Sequence, residues 1–507
     1  MKRLLVTAIT FCITLCSMAQ GQYRNPIIPG YHPDPSICRV GDTFYLVNSS
    51  FEYFPGVPIF KSQDLIHWSQ LGNVLTRDSQ LPLKGATSWL GIYAPTIRYN
   101  DGTWYMITTN VGNGGNFLVT AKQPEGPWSE PVWLKQQGID PSLYFEDGHC
   151  YMVSNPNSAL SLCEIDPVSG KQLTESKPIW RGDGGRYVEG PHIYKKDGYY
   201  YLLASEGGTE LNHHLTIARS RSIWGPYESN PANPILTNCN YKGQDKQIQG
   251  TGHGDFVQAA DGSWWIVFLA YRNFGGSYHH LGRETYLAPV EWKEGEWPVI
   301  YGGEAISSRM TVDGNQTLIK DDMTQAVKSP QPAFHVPQKA FGPEWCFIQN
   351  PIRENYEFID GGLRLHGSTS SLTENQQPTF VGMRQDRANY TAEVEVRPKN
   401  VEAGLTVYQI NDGHFDLFVD KGQIAVRCQL KAINYIAASR PLVKSRSVKL
   451  RIRSDQDMYY FEYSSDDKPF QELCRLNCSL LSTEVAGGFT GVFVGMYAQG
   501  KGYADFK

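Results

Sequence analysis

Short runs of β-branched and aromatic residues, broken by glycine, aspartate or asparagine, fill the N-terminal part of the chain. Tyr45-Leu46-Val47, Tyr105-Met106-Ile107-Thr108, Tyr199-Tyr200-Tyr201-Leu202-Leu203 and Trp264-Trp265-Ile266-Val267-Phe268 are of this kind, and each predicts a strand. No long stretch keeps a 3.6-residue apolar period, so long helices are not expected. The runs recur together with their turns. Asp101-Gly102, Asp147-Gly148, Asp197-Gly198 and Asp261-Gly262 each precede an aromatic strand, and Asp42 precedes Phe44-Tyr45. Five copies spaced by roughly 50 residues, with several strands apiece, are the pattern of propeller blades.

The outer part of each unit repeats too. Lys61-Ser62-Gln63-Asp64-Leu65-Ile66-His67-Trp68, Ala121-Lys122-Gln123-Pro124-Glu125-Gly126-Pro127-Trp128 and the segment from Ala218 to Tyr227 share a strand, a turn and a packing aromatic. The expected fold is therefore all-β: a five-bladed β-propeller over 22–318, whose closure removes exposed sheet edges. The texture changes around 312–340, where Ser329-Pro330-Gln331-Pro332 and Val336-Pro337 read as a linker. Beyond it, alternating runs such as Tyr390-Thr391-Ala392-Glu393-Val394-Glu395-Val396 and Val448-Lys449-Leu450-Arg451-Ile452 predict a β-sandwich, a concanavalin-like jelly roll, over 335–507.

Residues 1–19 read as a secretory signal. Lys2 and Arg3 open it, Leu4 to Leu15 is apolar but too short to span a bilayer, and Ser17-Met18-Ala19 supplies small residues for cleavage. The expected location is secreted or periplasmic. A lipid anchor on Cys16 is disfavoured by the bulk of Leu15. No other stretch reaches the roughly 20 apolar residues of a transmembrane helix. Cleavage would take the net charge from -5 to -7 by removing Lys2 and Arg3, and with no basic stripe a nucleic-acid partner is not expected. The remaining cysteines are too scattered for a disulfide framework. Cys150 and Cys163 flank a hairpin and could pair or stay as buried thiols. Association into oligomers is left open.

The chemistry rests on three acids. Asp34 in His-Pro-Asp-Pro-Ser-Ile, Asp140 in Ile-Asp-Pro-Ser-Leu and Glu189 in Val-Glu-Gly-Pro-His-Ile are read as occupying one phase of the repeat. Equivalent positions of a closed ring converge on its axis, so the three carboxyl groups should meet. Two carboxyl groups suffice to hydrolyse a glycosidic bond, and a third nearby raises the pKa of the proton donor. His253 is read at the same phase of the fifth copy, pointing into the central channel.

These segments resemble glycoside hydrolase family 43, in particular its β-xylosidase-like members with an added C-terminal sandwich. The resemblance is carried by Asn25 to Ser36, Ser49-Ser50-Phe51-Glu52-Tyr53-Phe54-Pro55-Gly56-Val57, Trp89-Leu90-Gly91-Ile92-Tyr93-Ala94-Pro95, Glu189-Gly190-Pro191, Gly250-Thr251-Gly252-His253 and His280-Leu281-Gly282-Arg283-Glu284-Thr285. It implies an inverting mechanism in which Asp34 is the general base, Glu189 the general acid and Asp140 the modulator of the acid's pKa. It also implies that Arg283 bonds sugar hydroxyls, with an inter-blade salt bridge as the alternative. Phe54, Trp89 and Tyr93 would be aromatic walls around the sugar, and His280 would approach it beside Arg283. Phe489, in Gly488-Phe489-Thr490-Gly491-Val492-Phe493, would reach the pocket from the sandwich. His253 would hold a structural calcium ion or its water shell, unless it is simply a hydrogen-bonded core residue. The chemistry itself requires no cofactor.

The expected partner is a plant cell-wall oligosaccharide, a xylo- or arabinoxylo-oligosaccharide. The leading expectation is an exo-acting β-1,4-xylosidase. The alternatives are an α-L-arabinofuranosidase or an enzyme with both activities, and, outside catalysis, a secreted glycan-binding propeller. A retaining fructan-type enzyme is disfavoured, because Pro33 stands before Asp34 where that pattern has asparagine.

Overall fold

The computed structural model describes residues 21–156, 158–239, 247–312, 318–319, 329–374, 376–442, 447–465 and 468–507. The secretory signal expected at 1–19 lies outside the described residues.

Each repeat unit folds as an antiparallel sheet whose strands follow chain order. The first blade is Ser36–Val40, Thr43–Val47, Gly56–Ser62 and Ser69–Leu75. The second is Thr96–Asn100, Thr103–Val111, Gly115–Ala121 and Val132–Trp133, with Gly91–Ile92 added beside Thr103–Val111. The third runs from Ile139–Glu146 to Lys177–Trp180, the fourth from Glu189–Lys196 to Glu228–Ser229, and the fifth from Ile248–Gln258 to Val299–Ile300. Local chemistry sets the inner hairpins. At Asp101-Gly102, Asp147-Gly148 and Asp197-Gly198 both residues take left-handed backbone, the two-residue turn whose twist matches that of a hairpin.

The first strands of the blades stand side by side in chain order, and that of the fifth blade returns to that of the first. The ring is a five-bladed propeller. Gly21–Arg24 pairs with Arg309–Val312 and joins the two ends of this part of the chain. Asp255, fully buried, ties the blades at the axis. It accepts from Ser36 Oγ at 2.7 Å, Arg98 Nη1 at 2.9 Å and Tyr194 Oη at 2.6 Å. Burial alone would raise its pKa, but Arg98, His192 and these bonds hold it down at about 2.

The C-terminal part is a sandwich of a seven-stranded and a six-stranded antiparallel sheet. Alternation is plain in Val448–Ser454, where every second residue is buried. The two parts are joined by main-chain bonds as well as by side chains. Tyr53–Phe54 pairs with Phe347–Ile348, Arg384 Nε donates to Tyr31 O at 2.8 Å, and Val492 N donates to His280 O at 3.0 Å. The eight described cysteines are free. Cys163 faces Met152 across its hairpin, not Cys150, so the pairing considered for those two does not form. Among the described residues no helix is long and apolar enough to cross a membrane.

Candidate active site

A cavity of about 330 Å³ opens at the axis of the propeller. Asp34, Asp140, Glu189, Tyr93, Arg283, His253 and Phe489 all line it. The topology therefore brings the three acids together with four of the other expected site residues.

The repeat phase differs from the sequence reading at one position. Asp34, Asp140, Gly190 and His253 take left-handed backbone, with φ of 53°, 55°, 58° and 45°. Gly190, not Glu189, is thus the structural counterpart of Asp34 and Asp140. Glu189 matches Ile139, since each is paired to its neighbour strand just before a bulge, Glu189 with Ser205 and Ile139 with Asn155. Bulges re-aim side chains beside active sites, and strained non-glycine backbone of this kind costs on the order of 1–3 kcal/mol and collects there. The longer Glu189 reaches the cavity from one residue earlier. The vacant position at Gly190 leaves room for the His253 ring, which would lie 3.0 Å from a Cβ there.

The three acids have different surroundings. Asp34 accepts from Ser49 Oγ at 2.6 Å and from Arg283 Nη1 at 3.0 Å, with His253 Nδ1 at 3.8 Å. Burial favours its neutral form, yet Arg283, His253 and Ser49 outweigh burial and hold its pKa below the usual carboxylate range. Arg283 thus makes the inter-blade salt bridge and lines the cavity at once. Asp140 accepts from Gly190 N at 3.2 Å and has His253 Nδ1 at 4.0 Å. Burial and the negative charges of Asp140 and Asp34 push Glu189 well above the usual range. Burial raises Asp140 too, to about 6, and two neighbouring acids do not both ionise cheaply, which favours a proton shared between them; Glu189 keeps part of its surface open to the cavity.

Three of the expected sugar contacts, Phe54, His280 and Trp89, do not line the cavity. Phe54 is buried in the apolar core, on the strand that pairs with Phe347–Ile348, and does not line the cavity. Phe51, with left-handed φ of 47°, takes the place at the wall. Its ring centroid lies 5.0 Å from that of Tyr93, and the Arg283 guanidinium is 5.6 Å from it. His280 is 1% exposed and lines a separate cavity of about 140 Å³ beside Asp457 and Asn477 of the sandwich. Its carbonyl accepts from Val492 N, and its ring centroid lies 5.1 Å from that of Phe274 and 6.1 Å from that of Tyr459 in the sandwich. Trp89 stands outside the cavity lining, 41% exposed, and its carbonyl accepts from Tyr93 Oη at 2.9 Å. It supports the wall that Tyr93 forms. Tyr187, Thr209 and Glu210 also line the cavity. They lie in loops without a repeat signature, and nothing in the local sequence marks them.

His253 does point into the channel. Beside it, His213 fills the space left by the missing side chain of Gly252, its ring 2.3 Å from where a Cβ would stand. Burial and then His253 push the His213 pKa down to about 3. Among the described residues no three His, Cys, Asp or Glu side chains converge as metal ligands. Calcium takes six to eight oxygen ligands, so these residues do not fit a directly held calcium ion.

The family model described as glycosyl hydrolases family 43 matches residues 23–298. The chain belongs to this family. A second model, the β-xylosidase C-terminal concanavalin A-like domain, matches 334–507. A non-reducing end α-L-arabinofuranosidase of Bacteroides ovatus is 42% identical over 519 residues, covering 99% of this chain and 96% of that protein. A xylosidase/arabinosidase of Butyrivibrio fibrisolvens is 38% identical, covering 96% of this chain and 98% of that one. The crystal structure of a xylan β-1,4-xylosidase from Bacillus halodurans superposes with a TM-score of 0.86 at 34% identity, over 95% of this chain and 98% of its own. The protein is a glycoside hydrolase of this xylosidase and arabinofuranosidase family.

Proposed function

We propose that this chain is an inverting, exo-acting pentosidase that removes the terminal sugar from plant cell-wall oligosaccharides. The observation that carries the reading is one cavity lined by two carboxyl groups in opposite surroundings: Arg283 holds Asp34 below the usual carboxylate range despite burial, and burial and neighbouring acids push Glu189 above it. Asp34 takes a proton from water as the water oxygen attacks the anomeric carbon. Glu189 gives its proton to the glycosidic oxygen as that carbon–oxygen bond breaks. One water is consumed, and solvent returns the proton to Glu189 and removes it from Asp34. Asp140 acts on Glu189 through charge. Arg283 keeps Asp34 ionised and stands at the sugar with Phe51, Tyr93 and Phe489. No step runs through a metal.

For the sugar, the sequence reading favours xylose. The 42% identity to an arabinofuranosidase over nearly the whole chain moves α-L-arabinofuranose ahead of it. β-D-Xylopyranose stays as the second reading, supported by the xylosidase structure at 34% identity. Export to the periplasm or beyond rests on the signal-like residues 1–19.

The test is hydrolysis of aryl α-L-arabinofuranoside and aryl β-D-xylopyranoside by the wild type and Glu189→Ala, with the anomer of the first-formed sugar read by proton NMR. Arabinofuranoside turnover with inversion, lost in the variant, supports the proposal. Xyloside turnover alone replaces the sugar, and retention overturns the mechanism.

A further inference from the structure

We propose that Tyr187, Thr209 and Glu210 form the leaving-group subsite, with the Tyr187 ring as the platform on which the departing sugar ring stacks. The proposal rests on the assignment of Glu189 as general acid. A proton donor must stand on the leaving-group side of the bond it cleaves, so the wall beside Glu189 faces the departing sugar. Tyr187 lies two residues before Glu189 and lines the same cavity. Arg283 bonds Asp34 instead, and Phe51 and Phe489 gather around Arg283.

Tyr187 is 65% exposed, so packing does not explain its position. Its φ of 55° is costly for a bulky residue. The strain is held by a built scaffold. The buried Glu206 carboxylate accepts from Asp183 N at 2.6 Å, Gly185 N at 2.5 Å and Thr216 Oγ1 at 2.9 Å. Gly207 N donates to Arg186 O at 2.7 Å, and Asn155 Nδ2 donates to Val188 O at 2.5 Å, so both neighbours of Tyr187 are fixed. Gly208, with φ of +77°, lies beside the ring, 3.3 Å from Cδ2 to the point where a Cβ would be, and the Arg186 guanidinium sits over one face, 5.3 Å from the ring centroid, leaving the other face for a sugar. Arg186 pairs with Glu210 at 3.4 Å, which links the two loops. The result is an aromatic surface held beside a hydroxyl and a carboxylate. An apolar ring face with polar groups at its edge matches a pyranose, whose C–H face is apolar and whose hydroxyls point outward.

The test compares substrates that share the terminal pentose and differ in what leaves. One pair is arabinofuranosyl-xylobiose and α-L-arabinofuranosyl fluoride; the other is xylobiose and β-D-xylopyranosyl fluoride. Fluoride is too small to touch Tyr187. Tyr187→Ala should lower kcat/KM on the saccharide by about tenfold or more while changing fluoride hydrolysis less than about threefold, and Tyr187→Phe should restore the saccharide rate. Equal losses on both substrates would show that Tyr187 only shapes Glu189, and overturn the proposal, as would no loss on either. A wild type inactive on all four overturns the pentosidase reading and this one with it.

Discussion

Gly190 N–H donates to Asp140 Oδ2 at 3.2 Å, which fixes Asp140 against the peptide that follows Glu189. The link explains how an acid on one blade sets the protonation of an acid on the next. Glu189 is raised by burial first and by Asp140 second. Asp140→Asn keeps an oxygen for the Gly190 bond and removes the charge. Glu189 then loses its proton at lower pH, so the alkaline limb of the kcat/KM profile should move toward acid. Activity should fall by about a hundredfold. An unmoved alkaline limb, measured from kcat/KM across pH, would remove Asp140 from this role.

Arg283 acts on the opposite limb. Burial raises the Asp34 pKa and Arg283 is the largest opposing influence. Asp34 serves as base only when ionised, so activity is lost as pH falls through its pKa. Arg283→Ala should raise that pKa and shift the acid limb to higher pH, with a loss of about a hundredfold in kcat/KM. Arg283→Lys should recover part of the shift and less of the rate, because an ammonium lacks the guanidinium fork.

Glu189→Ala should hurt in proportion to how much the leaving group needs a proton. On xylo-oligosaccharides the loss should be about 10²–10⁴-fold, and on an aryl glycoside with a strongly acidic phenol far smaller. A loss independent of leaving group, in steady-state assays across a phenol series, would contradict the assignment.

Strand runs and Asp-Gly turns are local signals, so the blades and the sandwich were legible from the sequence, and the axial position of Asp34 and Asp140 followed. Glu189 lines the cavity, but not through the repeat phase that the sequence suggests. Its apparent phase counts residues, while the bulges after Ile139 and Glu189 reset the register, and a bulge leaves no mark in composition. Phe54 and Phe51 sit in one aromatic segment, and only the left-handed turn at Phe51 decides which one enters the cavity. His280 lines a different cavity, packed near Tyr459 of the sandwich, a contact between residues far apart in the chain. Tyr187 owes its place to Glu206, some twenty residues later in the chain.

Asp255 should matter for stability without touching the cavity. Asp255→Asn strands a mostly buried Arg98 beside a neutral amide, a change that costs about 3–5 kcal/mol when one partner of a buried pair is lost. The wild-type carboxylate has a depressed folded pKa, about 2. Its stabilisation is therefore complete above the unfolded value near 4 and is lost as pH falls toward 2. Denaturant unfolding should show the variant less stable at neutral pH and the difference shrinking with acid, while KM of the folded variant stays near wild type.

The sandwich reaches the site through two glycines. Gly282 Cα lies within 2.9 Å of a Cβ built on Gly491, and that Cβ would also stand 2.2 Å from Leu281 O. This close approach seats the loop that places Phe489 in the cavity and its carbonyl 3.4 Å from Arg283 Nη2. Gly491→Ala forces backbone against backbone, and no side-chain rotation relieves it. The loop must lift, taking Phe489 and one Arg283 contact with it. KM should rise by about tenfold with a smaller fall in kcat, since Asp34 and Glu189 sit on the propeller. Phe489→Ala should raise KM in the same way without moving the loop, and combining the two should cost little more than Gly491→Ala alone. Additive losses in that double-mutant cycle would mean that the loop acts on the site by a route other than Phe489.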